Sequence, residues 1–245
     1  MLLNRRIVMG NNVDLERNPA SLGTDLALVP EGAPVGRFHV ARQRGGSPMA
    51  LSAWRVTTDD RVLADALAGL YGGVPEASGP ADGLGYEVLT RRDAVSISMH
   101  GAQSLALRMV LRGAGETFHV CDGVKLLEPL GASDEPCGCG PTLAERKAAA
   151  RAGHGPKPEV HLRFRLSDLP EAGTFQLVST SWEFAESLPS LEHALNEAGD
   201  PALCVLRYEL VEFTTRSGVE VCYRRPVVEV AGCLAGGREH LRLAA

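Results

Sequence analysis

The stretch from Cys121 to Pro158 constrains this chain more than any other. It reads CDGVKLLEPLGASDEPCGCGPTLAERKAAARAGHGPKP. The segments on either side alternate apolar and polar residues as strands do, or repeat apolar residues at helical spacing. This stretch has one short helix-like piece and otherwise no core-forming pattern. Whatever orders it must be something other than apolar burial. It holds Cys121, Cys137, Cys139 and His154, and the first three are half of the chain's six cysteines. Thiolates and an imidazole in a Pro/Gly-rich loop are what a structural zinc site requires. The metal would supply the cohesion that the missing apolar residues cannot.

Spacing supports that reading without proving it. Fifteen residues separate Cys121 from Cys137, one separates Cys137 from Cys139, and fourteen separate Cys139 from His154. A Cys-x-Cys pair is tighter than the usual zinc-finger pair. One turn can still deliver two ligands, and Pro136, Gly138, Gly140 and Pro141 suit such a turn. The alternative is that these are incidental loop cysteines, but three within nineteen positions of a Cys-poor chain argues against it. Four protein ligands leave no place for water, so the site would be structural rather than catalytic. His119 stands close to Cys121 and is the best substitute for His154; His161 is a weaker one. His39 and His119, in strand-like stretches, otherwise read as satisfied structural histidines. Cys204 and Cys222 fall on predicted strands and, with Cys233, read as small buried hydrophobes.

Composition narrows the class. Aromatic residues make up only 5%, against 44% apolar residues, so aliphatic side chains must fill most of the core. The net charge is −5, which disfavours autonomous DNA binding, because that depends on a basic surface releasing counterions. No apolar run is long enough to span a bilayer, and MLLNRRIVMG has no signal-like apolar region. A cytosolic chain is expected, with reduced cysteines that bind metal rather than pair.

The remainder divides into four parts: an extended arm over 1–36, an α+β half over 37–120, the metal loop over 121–158, and a second α+β half over 159–245. Strands are expected at 37–42, 50–57, 86–91, 94–99, 105–111 and 117–120, with 86–99 forming a hairpin around Arg92-Asp93 and 74–83 forming a loop. Helix starts resembling capping boxes lie at 57–60 and 180–183. The first precedes an apolar stripe of Val62, Leu63, Ala66, Leu67 and Leu70. The second precedes Phe184, Leu188, Leu191 and Leu195, a stripe that Pro189 should bend or divide. Strands follow at 161–166 and 174–180, and two long ones at 203–214 and 219–230 flank the turn Thr215-Arg216-Ser217-Gly218. Each half reads β-β-α-β-β, the string an internal duplication would leave. The expected class is α+β with antiparallel sheets, single packed helices and a central zinc-stabilised loop.

Enzyme motifs are missing. There is no GxxxxGK[ST] loop, no HExxH and no GxSxG elbow. A metal-dependent hydrolase acting on nucleic acid or nucleotides stays open as the alternative function, and a direct DNA binder as a third. The piece TLAERKAAAR (142–151) reads as a solvated helix carried by the metal loop. Its sharper reading is a partner-binding face made by Leu143, Glu145, Arg146, Lys147 and Arg151.

Ordered motifs then carry a family resemblance. GRFHVA is followed by LSAWRVTTDD, VCDG, CGC with its Ala/Lys/Arg helix, and PKPEVHLRFRLSDLPEAGTFQLVSTSWEFAESLP. Over roughly residues 35–230, the chain resembles the recombination directionality factors of actinobacteriophages that use large serine integrases. That family's pattern has Cys-Asp-Gly, Cys-x-Cys and a further Cys before a Lys-Pro. Here the first two match Cys121-Asp122-Gly123 and Cys137-Gly138-Cys139, whereas Pro156 stands at the third, with His154 two residues earlier. The resemblance implies a non-enzymatic regulator in the bacterial host's cytoplasm. It would bind the serine integrase and switch it from integration to attL × attR excision. It would meet att-site DNA only through the integrase and take no small-molecule substrate.

Overall fold

A computed structural model describes residues 32–44, 47–79, 85–113, 117–128 and 135–233. Most of the expected arm, residues 1–31, lies outside these.

The first strands, β1 (Gly36–Arg44) and β2 (Ser47–Thr58), form an antiparallel pair. Asp60 then caps α1 (Arg61–Tyr71), its carboxylate accepting from the Val62 and Leu63 amides. One expected starting box is therefore a simple Asp cap. The buried face of α1 is Leu63, Ala64, Leu67 and Tyr71, whereas Val62 is 76% exposed. The stripe runs around to Tyr71 because that side chain is shut against the sheet and its hydroxyl donates to Asp168 at 3.1 Å. The segment expected as a loop contains β3 (Pro75–Ala77), which pairs with β4 (Tyr86–Leu89).

β4 and β5 (Ala94–Met99) do not form the expected hairpin. β4 pairs with β2 and β3. The linker is tied elsewhere: the Thr90 amide donates to Trp54 O, the Arg91 amide to Tyr71 O, and Trp54 Nε1 and the Tyr208 amide both donate to Asp93 O. With its hydrogen bonds spent on other elements, the linker cannot close a two-strand turn. β5 pairs instead with two strands from the second half of the chain.

Those strands are β9 (Lys157–Leu166) and β11 (Ala202–Thr214). β6 (Leu105–Arg112) also runs along β9, and β7 (Thr117–Cys121) and β8 (Leu126–Glu128) extend the sheet from β6. β10 (Phe175–Ser179) joins β9 on one side and pairs with β1 in parallel on the other. β12 (Glu220–Cys233) closes one edge beside β11. The main path of this twelve-stranded sheet is β12-β11-β5-β9-β10-β1-β2-β4-β3. The class is α+β, and the sheet is mixed rather than purely antiparallel because of the β1–β10 pair. Strands from the two sequence halves interleave within it. The β-β-α-β-β strings do not share a strand order: after α1 the new hairpin joins β2, whereas after the corresponding second-half helix it joins β5.

That helix, α3 (Trp182–Ala198), buries Phe184, Ala185, Leu188, Leu191 and Leu195, the expected stripe. It starts at Ser181, whose hydroxyl accepts from the Phe184 amide, and runs unbroken through Pro189. The proline removes one amide, but the apolar face packs on β12 and β9 on both sides of it and keeps the helix continuous. An aromatic cluster joins the layers. Phe38 meets Trp54, Phe164 and Phe175 edge-on at 5.6, 5.3 and 5.8 Å, and Trp54 lies 5.1 Å from Tyr208. Tyr208 Oη donates to Val40 O at 2.6 Å, which fastens β11 to β1. Five of the chain's twelve aromatics thus meet at one place. Cys204 is buried there too, and burial pushes its thiol up to about 12. Cys222 and Cys233 are exposed, against expectation. Both sit on the edge strand, where one face meets solvent.

Candidate metal centre

β7 delivers the first two donors. Side chains two apart on a strand share a face, so His119 and Cys121 point the same way. Cys121 closes the strand, and Asp122 turns the chain by accepting the Val124 and Lys125 amides at 2.7 and 2.8 Å. The Cys137 amide donates to Val124 O at 3.0 Å, which brings the second loop against the first. Gly138, at φ +69°, makes the left-handed turn that sets Cys137 and Cys139 on one side.

The result is a compact group: one donor atom from each of His119, Cys121, Cys137 and Cys139, all within 4.8 Å of one another. Cys121 Sγ stands 3.8 Å from Cys139 Sγ, and Cys139 Sγ stands 3.4 Å from His119 Nε2. A tetrahedral zinc ion with Zn–S near ~2.3 Å puts two sulfurs about 3.8 Å apart and a sulfur and a nitrogen about 3.6 Å apart. The donors therefore fit such an ion in both chemistry and spacing.

The electrostatics keep these thiols protonated unless a cation binds. Burial, together with the neighbouring Cys139 and Cys137, pushes the Cys121 thiol well above its ordinary range, and burial and Cys137 raise Cys139 as well. Burial also lowers His119, which keeps its ring neutral and able to donate a lone pair. Three thiolates cannot crowd this space unless a metal compensates them.

Three of the four expected ligands are thus brought together, and the fourth is not. His154 is exposed, in the turn after α2 (Leu143–Arg151), and lies outside the group. His119 takes the fourth position. The signal was available: a His-x-Cys pair inside an alternating strand places both side chains on one face. His161 sits on β9 with Nε2 3.7 Å from Glu159 and also lies outside the group. His39 is satisfied by Thr57 Oγ1 at 2.8 Å, as expected of a structural histidine.

The partner face read on the short helix is also redrawn. Thr142 caps α2 with a complete box: its hydroxyl accepts from the Glu145 amide, and Glu145 accepts from the Thr142 amide. Leu143 and Arg146 are buried, Arg146 to 1% exposure, which removes both from the outer surface. Lys147 reaches Glu186 on α3 at 2.7 Å, while Glu145 and Arg151 remain exposed.

Arg146 is the residue that sequence reasoning assigned wrongly. Its Nε donates to Gly140 O at 2.7 Å, and its Nη2 to Gly123 O at 2.8 Å and Pro141 O at 3.2 Å. One guanidinium therefore clasps the loop after Cys121 to the loop after Cys139. The planar fork reaches these carbonyls from two different nitrogens, Nε and Nη2. A Cβ at Gly123 would stand 2.2 Å from Arg146 Nη1, and φ there is +96°, so position 123 tolerates glycine alone on both counts. Three thiolates around a zinc dication would leave a net charge of about −1, which the buried Arg146 guanidinium beside them would offset.

The Gp3-like family, described as recombination directionality factor-like, matches residues 7–231. The chain belongs to this family. No solved structure matches it. In this Gp3-like, recombination directionality factor-like protein, the donor group lies inside the matched span. No helix of the described residues is long and apolar enough to cross a membrane.

Proposed function

We propose that the protein is a phage recombination directionality factor that binds a large serine integrase and turns it from integration to attL × attR excision by protein contact. Membership of the recombination directionality factor-like family over residues 7–231 carries this reading. The donor group supports it: four protein ligands around a zinc ion would leave no open coordination position, so a metal there would hold shape rather than act on a substrate. The protein acts in the cytoplasm of the bacterial host and meets att-site DNA through the integrase.

The β11–β12 ribbon is the contact arm in this reading. β5 pairs with β11 only as far as Arg207, after which, among the described residues, β11 and β12 form ladder pairs only with each other up to Thr214 and Glu220. Leu210, Phe213 and Val219 are 43, 50 and 57% exposed on that ribbon. Leu210 and Phe213 lie on opposite faces of the ribbon, Phe213 on the face of Val219, and exposed apolar side chains there mark a protein-binding surface. The outer side of α2, with Glu145 and Arg151, is the second contact. Binding one arrangement of the integrase better than another shifts its population toward the excision-competent form.

The test is co-purification with the cognate integrase, followed by attL × attR recombination in vitro. The wild-type protein forms the complex and drives excision, and Leu210→Ser with Phe213→Ser loses both while keeping its fold and zinc. If the wild-type protein forms no complex and leaves the direction of recombination unchanged, the reading fails.

A further inference from the structure

The three sulfurs of the donor group differ in cover and in how the chain holds them. Cys121 ends β7 and is fully buried, whereas Cys137 and Cys139, in the second loop, are half-buried. An oxidant arriving from solvent therefore meets the second loop first. Cys121 Sγ stands 3.8 Å from Cys139 Sγ. A disulfide needs ~2.0 Å between its sulfurs, so this pair has less than about 2 Å to travel.

Arg146 singles the same pair out. Its guanidinium bonds Gly123 O, just past Cys121, and Gly140 O and Pro141 O, just past Cys139. The clasp joins the backbone beside both sulfurs without using either of them. It is also shut from solvent, so its hold does not depend on a metal. A Cys121–Cys139 bond would thus close a loop that the clasp has already closed, at little further cost in chain entropy. Cys137 is tethered differently, through its amide to Val124 O at 3.0 Å. A bond from Cys137 to Cys139 would have to close a tight ring through Gly138 alone.

We propose that the donor group is a reversible peroxide switch, in which Cys139 and Cys121 join as a disulfide and zinc is given up. The Cys139 thiolate takes an oxygen atom from hydrogen peroxide and becomes a sulfenic acid as hydroxide leaves. The Cys121 thiolate then attacks the sulfenic sulfur, forms the S–S bond and expels a second hydroxide. Each sulfur gives up one electron, and the peroxide is reduced to two hydroxides. His119 and Cys137 are then the donors that remain, and two donors do not hold a structural zinc ion. The disulfide replaces the metal as the tie between β7 and the second loop, while Cys137 comes free. A thiol reductant restores both thiolates by exchange, and with them the donor set. The switch is built from this chain's own residues and holds whichever partner the protein binds.

The test uses the full-length, zinc-loaded protein carrying Cys222→Ser and Cys233→Ser, which keeps the two exposed cysteines out of the readout. Hydrogen peroxide is added, zinc release is followed with a chromogenic chelator, and linkages are mapped by digestion and mass spectrometry. Stoichiometric zinc should be released, with Cys121–Cys139 as the dominant linkage and Cys137 open to alkylation. Dithiothreitol should then restore zinc uptake. Arg146→Leu, loaded at saturating zinc, should lose the selectivity: the Cys121–Cys139 share falls toward about a third, as for one of three possible pairs. The wild-type linkage decides the matter even where that variant loads poorly. The proposal is overturned if zinc stays bound once the peroxide is consumed, or if the dominant linkage contains Cys137. It is equally overturned if release comes with sulfinic acid and no disulfide, which a thiol reductant cannot reverse. Wild-type selectivity in zinc-loaded Arg146→Leu would remove the clasp from the switch and overturn its assignment to this pair.

Discussion

Two parts of this molecule are held together by different physics. Around Phe38, Trp54, Phe164, Phe175 and Tyr208, five rings and the aliphatic side chains near them are buried, and strands from both ends of the chain meet there. Around His119, Cys121, Cys137 and Cys139, Cys121 and Leu143 join the core on the inner side. Order comes from four donors, an Asp turn at Asp122 and one guanidinium that bonds three backbone carbonyls. The first part tolerates any ion content and fails when volume is lost. The second tolerates changes of volume at its surface and fails when a donor is lost. Five of the chain's twelve aromatic residues gather in the first part, and the second has another source of cohesion in its donors.

The largest expected effect separates the two outright. Cys139→Ser, or chelation of the wild-type protein, should remove stoichiometric zinc and erase amide-exchange protection from His119 to Arg151. Protection in β1, β2, β9 and β10 should persist. Retention of one zinc per chain in Cys139→Ser, measured by metal analysis, would show that the donor set is wrong.

Trp54→Ala attacks the other side. Removing a fully buried indole from a close-packed cluster should destabilise the fold by about 3–5 kcal/mol in denaturant unfolding. Below its melting temperature the variant should still bind one zinc. A loss below about 1 kcal/mol would mean that the aromatic cluster is not the structural centre.

Arg146 lies between these extremes. Arg146→Leu keeps the bulk but strands the carbonyls of Gly123, Gly140 and Pro141, and zinc affinity should fall about 10- to 100-fold in a competition titration. Arg146→Lys should not rescue it, because one ammonium nitrogen cannot stand where both Nε and Nη2 stand. Full rescue by lysine would reduce the residue's role to charge alone.

The smallest effect is at the seam between the regions, where Glu159 on β9 meets His161 and Arg112. Those partners hold its carboxyl down to about 2, below the ordinary 4.5. A depressed folded-state pKa stabilises the protein fully above pH 4.5 and loses that contribution as the pH falls toward 2. The advantage of the wild type over Glu159→Gln in thermal melts should therefore be constant from pH 5 upward and shrink below about pH 4. An advantage independent of pH would exclude the ion pair as its cause.

Periodicity made much of this fold legible. The α3 stripe, the long β11–β12 hairpin and its turn at 215–218, and both edges of α1 follow from local pattern. Three of the four donors were legible too, because cysteines in a Pro/Gly-rich loop have few other reasons to cluster. What failed was everything that depends on a distant partner. The Arg92-Asp93 turn resembles a hairpin locally, but Trp54 and Tyr208 compete for its backbone from 39 and more than 100 positions away. Arg146 reads as a surface charge in any helical wheel until the two loops it clasps are in place.

The sequence by itself determined the elements, the α+β class and the chemistry available at the metal centre, because alternation, capping and donor type are local properties. The tertiary structure alone decided which strands are neighbours, which histidine completes the donors and which arginine is buried. Each of those is a contact between residues far apart in the chain, and neither composition nor spacing encodes the distance between them.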